Sequence, residues 1–221
     1  MSFVAARQSR FLEPQRLPPR RQRAVRIGAN LIGAAGAAFF AQSTLRSDLH
    51  AHSGIGTVFL VEQSLVVLAY LIRRPARAVT ARLGDWLLAF GGTFGGVLFS
   101  TGGAHPKWGV SIGLWLQLVG LAAAIASFLA LGRNFGFSAA DRGLATRGPY
   151  AVVRHPIYAS YLLVQFGFLL QSVSVRNVLV ILLTTSCNVG RALVEEDLLV
   201  SGEMYRSYRG RVRWRLVPGV W

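Results

Sequence analysis

The sequence predicts an all-α, polytopic integral membrane protein of about six transmembrane helices, and three observations predict it. The chain of 221 residues is 52% hydrophobic, and its apolar residues are bunched into runs of about twenty, the length a helix needs to cross ~30 Å of hydrocarbon. Such runs must be helical, because lipid offers an open backbone no hydrogen-bond partner. The basic residues, which give a formal charge of +15, fall in the gaps between runs and not along one soluble face. That placement argues against nucleic acid as a partner. Membrane topology and anionic lipid headgroups account for the charge.

Residues 1–26 form the first unit, a flexible basic arm in which Arg7, Arg10, Arg16 and four further arginines are interrupted by Pro14, Pro18 and Pro19. The run 27–45 follows. Its Ala41-Gln42-Ser43 end resembles a signal-peptidase site, but its length and the spans after it favour an uncleaved first helix. The second run, 54–72, carries Glu62 and Gln63 in mid-span. Ionisable groups at that depth are costly and face protein or a cavity; a helix–helix hydrogen-bonding role is favoured for Glu62 over a place in a substrate cavity. Four arginines between 73 and 82 precede the third run, 86–101, in which Gly91 and Gly95, and Gly92 and Gly96, lie four apart. Such a face lets two helices approach closely, whether the partner is another span or another copy. The fourth run, 110–131, completes a four-helix transmembrane unit over 27–131.

The third unit is 132–221. A polar segment with Arg133, Arg142, Arg147 and Arg154 leads into runs at 157–171 and 175–194, parted only by Ser172-Val173-Ser174, which predicts a tight antiparallel helical hairpin. A tail with Arg206, Arg209, Arg211, Arg213 and Arg215 follows. Arginine-rich and arginine-poor gaps alternate, so both termini and the segment from Arg133 to Arg154 are expected on the cytoplasmic side. Cys187 is the only cysteine, which excludes an internal disulfide and a cysteine-clustered metal site; it reads as a small core residue. His50 and His52 near Asp48 make too small a cluster for a metal site, and a solvated loop is the preferred reading.

Two polar clusters stand at one membrane boundary. On the sixth run Asn188, Arg191 and Glu195 recur at i, i+3 and i+7, on a single helical face with Glu196 beside it. They either satisfy one another at a helix end or form a pocket in which Glu195 accepts from a hydroxyl or ammonium group and Arg191 binds an anion through its planar fork. The second cluster, Arg154-His155-Pro156 with Tyr158, opens the fifth run, with Pro156 suited to a first helical turn. It is either an interfacial anchor or, with Tyr150 and the free amides of a helix start, a holder for a zwitterionic small molecule.

The pattern Leu144-Ala145-Thr146-x-Gly148-Pro149-Tyr150-x-x-x-Arg154-His155-Pro156-x-Tyr158, then Arg191-x-x-x-Glu195-Glu196 and Tyr205-Arg206-x-Tyr208, resembles the isoprenylcysteine carboxyl methyltransferase family, to which the phospholipid N-methyltransferases are related. The resemblance runs from about Gly132 to Pro218. It implies a membrane enzyme that binds S-adenosyl-L-methionine on its cytosolic side and methylates a lipophilic acceptor arriving from the bilayer. It places cofactor contacts on Arg142, Gly143, Leu144, Ala145, Tyr150, His155, Pro156, Ile157, Tyr158 and Glu195, and the substrate-side arginine on Arg191. Tyr205 and Tyr208 would help to close the pocket. Arg142 stands where the family has a histidine, and Arg213 where it often has a proline. Catalysis is thereby assigned to Arg191 and Glu195. The competing readings are a sterol-reductase-like enzyme using NADPH, and a membrane transporter or assembly protein without catalysis in which Glu62, Arg191 and Glu195 are structural.

Overall fold

The computed structural model describes residues 57–72, 78–80, 82–135, 140–141 and 144–221, with scattered positions between 11 and 46. Arg142, Gly143, His50, His52 and Asp48 lie outside the described residues. Every described residue between 20 and 46 is helical, in keeping with the first run. Beyond it come α1 (Thr57–Ile72), α2 (Leu83–Phe94), α3 (Lys107–Leu131), α4 (Pro156–Gln171), α5 (Val175–Leu199) and α6 (Glu203–Arg211).

Among the described residues two helices are long and apolar enough to cross a membrane, Lys107–Asn134 and Val175–Leu199. The other apolar helices are shorter than these two. Both α1 and α4 have 16 residues, about 24 Å at ~1.5 Å per residue. The third run divides into twelve α-helical residues and a 3-10 turn, Gly95–Leu98. Its end is fixed by Asn177 at the start of α5, whose amide oxygen accepts from Ser100 N at 3.0 Å and whose Nδ2 donates to Ser100 O at 2.8 Å. Asn177 also donates to Ser172 O at 2.7 Å, so one buried amide ties the α2 exit to the α4–α5 hairpin.

That hairpin is as tight as expected. Ser172 caps the end of α4, and the side chain of Ser174 accepts from Asn177 N at the start of α5. The main packing is between α3 and α4 and between α2 and α5. In the first pair Gly113 and Gly167 face each other so closely that a Cβ on either would strike the other's carbonyl oxygen. Gln171 Nε2 donates to Gln117 Oε1 at 2.8 Å across the same seam. In the second pair the glycine face of α2 finds its partner within the chain: Gly91 abuts Cys187, Gly92 abuts Asn188 and Gly95 abuts Thr184, all on α5. The outer side of α3 remains apolar and uncovered, with Trp108, Ile112, Trp115 and Leu118 exposed, a surface matched to lipid.

The fold is all-helical in class, as expected, and beside the helices stands a small antiparallel sheet of order β1-β2-β3, formed by Phe11–Leu12, Ala78–Thr80 and Ala140–Asp141. Phe11 pairs with Thr80 and Ala78 with Asp141. Phe11 and Leu12 of the basic arm are therefore paired with the 78–80 strand. Strands this short give no alternation for a sequence pattern to reveal.

Candidate active site

The polar segment and the hairpin meet around one cavity. Tyr150 sits in a 3-10 turn, Gly148–Ala151, in which Pro149 stands second and Gly148, the first residue, takes a φ of +60° that a side chain would resist. His155 is the cap before α4, and Pro156 occupies the first turn, where its missing N–H costs nothing. The α4 entrance is then braced by the tail: Arg154 N donates to Trp214 O and His155 N to Arg215 O, both at 2.9 Å.

Of the residues expected at a site, Leu144, Ala145, Tyr150, His155, Ile157 and Tyr158 line the cavity together with Arg191 and Glu195 of α5. Tyr205 and Tyr208 of α6 complete its wall. Pro156 shapes the helix start without lining the cavity. Arg142 and Gly143 fall outside the described residues.

The two neighbouring glutamates are separated in role. Glu195 faces the cavity: the Tyr158 hydroxyl donates to its Oε1 at 2.5 Å, and its Oε2 lies 3.7 Å from His155 Nδ1. Glu196 does not line the cavity and is 6% exposed. Its carboxylate takes Arg154 Nε at 3.3 Å, His155 Nε2 at 3.2 Å and Arg215 Nε at 3.2 Å. It is a structural hub joining the α4 entrance, α5 and the tail. The charge partners of Glu196 are thus Arg154, His155 and Arg215, from the α4 entrance and the tail, and not the Arg191 of its own helix.

Arg191 lies across the face of Tyr158, its Cζ 5.0 Å from the ring centroid, and Nη1 donates to Thr93 Oγ1 at 3.0 Å. His155 stacks on Tyr158 with 11° between planes and 5.6 Å between centroids. The series His155, Tyr158, Arg191 thus lines one wall as stacked flat groups, with Glu195 at its edge. On the opposite wall the Tyr208 hydroxyl donates to Tyr150 O at 2.7 Å. Burial, with the Glu195 charge adding to it, holds the Tyr150 phenol well above its ordinary pKa of 10. Burial likewise pushes Tyr208 up to about 12, so both phenols are neutral hydrogen-bonding groups.

Sequence reasoning missed Thr93, Asn134, Phe135 and Tyr161, which also line the cavity. Tyr161 could have been found, since it stands three residues after Tyr158 on the same helical face. Thr93 carried no local signal, because its partner is 98 residues away. Glu62 is buried but does not line the cavity; its Oε1 makes no hydrogen bond, so the helix–helix bond expected of it is not seen there.

Residues 108–206 match the family model described as phospholipid methyltransferase. That stretch is similar to the phospholipid methyltransferases. It extends from the first turn of α3 into α6 and contains Tyr150, His155, Tyr158, Arg191 and Glu195, whereas Thr93 and Tyr208 fall outside it. The match bears out the resemblance read from the motifs, since both families belong to one superfamily. No curated protein matches the chain. The matched region and the two long apolar helices point to a membrane protein, and the family of that model to a methyltransferase.

Proposed function

We propose that the protein is a multi-pass membrane methyltransferase that binds S-adenosyl-L-methionine in this cavity and methylates a lipophilic acceptor entering from the bilayer. The observation that carries the reading is the pairing of Glu195 and Arg191 on one cavity wall, around the ring of Tyr158. The donor set fits the cofactor: Glu195 offers a carboxylate to its cationic groups, Tyr150 and His155 offer flat surfaces to its base, and the chain at Leu144 and Ala145 offers backbone atoms. When bound, the cofactor supplies a methyl group already activated by its sulfonium charge.

The chain's own contribution is alignment and exclusion of water. Arg191, held between Thr93 and Tyr158, aims an anionic acceptor group such as a carboxylate, which needs no general base. An amine acceptor would first have to lose a proton, and His155 and Glu195 are the groups within the cavity for that; Glu196 is occupied by Arg154 and Arg215. Tyr205 and Tyr208 cover the cavity from α6. In this reading the arm 1–26, the membrane unit 27–131 and the catalytic unit 132–221 share one bilayer, with termini and cavity on the cytosolic side. Neither nucleic acid nor a metal takes part.

The test is calorimetric titration of the detergent-purified protein with S-adenosylhomocysteine, for wild type and Glu195→Ala. Binding that the substitution weakens is the expected result. A well-folded wild type that takes up none of the ligand would sink the reading and make NADPH the next titrant.

A further inference from the structure

The cavity wall and the most basic surface of the described chain are two sides of the same short helix. α6 follows the long apolar α5 after only three residues, through a turn closed by Gly202 N to Leu199 O at 2.9 Å. It therefore begins nine residues after the apolar run of α5 ends at Val194. Its inner side, Tyr205 and Tyr208 with Val212, is buried against Leu144, Leu199 and Val200. Outside, Arg206, Arg209, Arg211 and Arg213 are all exposed, with Glu203 the only acidic residue from there to the chain's last residue. Exposed Met204, Trp214 and Val220 accompany them. Guanidinium groups mixed with single apolar and indole side chains at a bilayer boundary fit a lipid headgroup layer, where each basic residue near an anionic surface contributes about a fivefold gain in binding.

We propose that the outer side of α6 docks on anionic phospholipid headgroups, and that this docking favours the closed cavity, so that lipid charge tightens cofactor binding. The proposal rests on the cofactor reading given above. Its physical basis is that Tyr208, through its bond to Tyr150 O, and Tyr205 keep the cavity wall in place only while α6 is seated. A surface that seats α6 therefore favours the same state as a ligand inside. Coupling of this kind is reciprocal and commonly amounts to roughly fivefold or more in affinity.

The experiment uses the full chain in nanodiscs of phosphatidylcholine alone or with phosphatidylserine at physiological ionic strength, and has two readouts. Trypsin cleavage after Arg206, Arg209 and Arg211 reports docking, and S-adenosylhomocysteine affinity reports coupling. Phosphatidylserine is expected to slow cleavage and to tighten the ligand by roughly fivefold or more. The combined Arg206→Gln, Arg209→Gln, Arg211→Gln variant should bind the ligand like wild type in phosphatidylcholine and gain nothing from phosphatidylserine. Equal cleavage in the two lipids overturns the docking. Slowed cleavage with unchanged affinity overturns the coupling. If a polyglutamate peptide in phosphatidylcholine discs protects as well as phosphatidylserine does, the partner is an acidic protein and not the lipid. Absence of ligand binding in both lipids defeats the cofactor reading instead, and cleavage still decides the docking.

Discussion

Adjacent carboxylates of which only one lines the cavity should give different phenotypes when each is changed to glutamine. Glu196 is 6% exposed and holds Arg154, also 6% exposed, along with His155 and Arg215. Removing its charge leaves the Arg154 guanidinium buried beside a neutral amide. Taking one partner from a buried pair costs about 3–5 kcal/mol. Arg215 is 23% exposed at its side chain and adds at most about 1 kcal/mol. Glu196→Gln should therefore destabilise the protein by roughly 4 kcal/mol, a fall in melting temperature on the order of 10 °C for a chain of this size. Glu195→Gln keeps an acceptor for the Tyr158 hydroxyl, so its stability cost should stay below about 1.5 kcal/mol. What it loses is the charge offered to a ligand, an effect of about 1.5–3 kcal/mol, or roughly tenfold to a hundredfold in affinity. Thermal unfolding in detergent and titration with S-adenosylhomocysteine measure the two effects on the same samples. If Glu196→Gln melts within a degree or two of wild type, or if Glu195→Gln is the one that unfolds early, the division into hub and ligand carboxylate is wrong.

Thr93→Val removes the acceptor of the Arg191 bond at constant shape; acceptor turnover should fall about tenfold while cofactor affinity holds, and Thr93→Ser should restore it. Gly92→Ala places a methyl group against the Asn188 amide, and denaturation should show a loss of about 1–3 kcal/mol. Tyr208→Phe deletes the bond to Tyr150 O, at a cost of about 1 kcal/mol, and should weaken the cofactor in the calorimeter. Tyr150 and Tyr208 titrate above their ordinary value of 10 because burial disfavours the phenolate. The contribution of Tyr208 to stability is thus complete below pH 10 and is lost as pH rises towards about 12, and that of Tyr150 is likewise complete below pH 10 and lost in stronger alkali. Melting temperature against pH, followed with tyrosinate absorbance, should decline over that interval, and Tyr208→Phe should lessen the decline.

How much of this was legible in the chain depended on the range over which each interaction acts. The helix runs, the Ser172-Val173-Ser174 turn and the α4 start at Pro156 were readable because apolar periodicity and proline act within a few residues. The shared face of Asn188, Arg191 and Glu195 was readable for the same reason. The division between Glu195 and Glu196 was not. The two are neighbours in sequence, and only Arg215, nineteen residues on, and the α4 entrance with Arg154 and His155 decide which carboxylate is held and which is left facing the cavity. The glycine face of α2 told that something would pack closely but not what. Its partner became definite when α5 brought Cys187, Asn188 and Thr184 against it, and that approach sets Thr93 beside Arg191. A motif centred on the last two spans thus depends on a helix with no motif at all. Substitutions along the Gly92–Thr93 segment should alter how the arginine is aimed even though they lie outside the region that the family model matches.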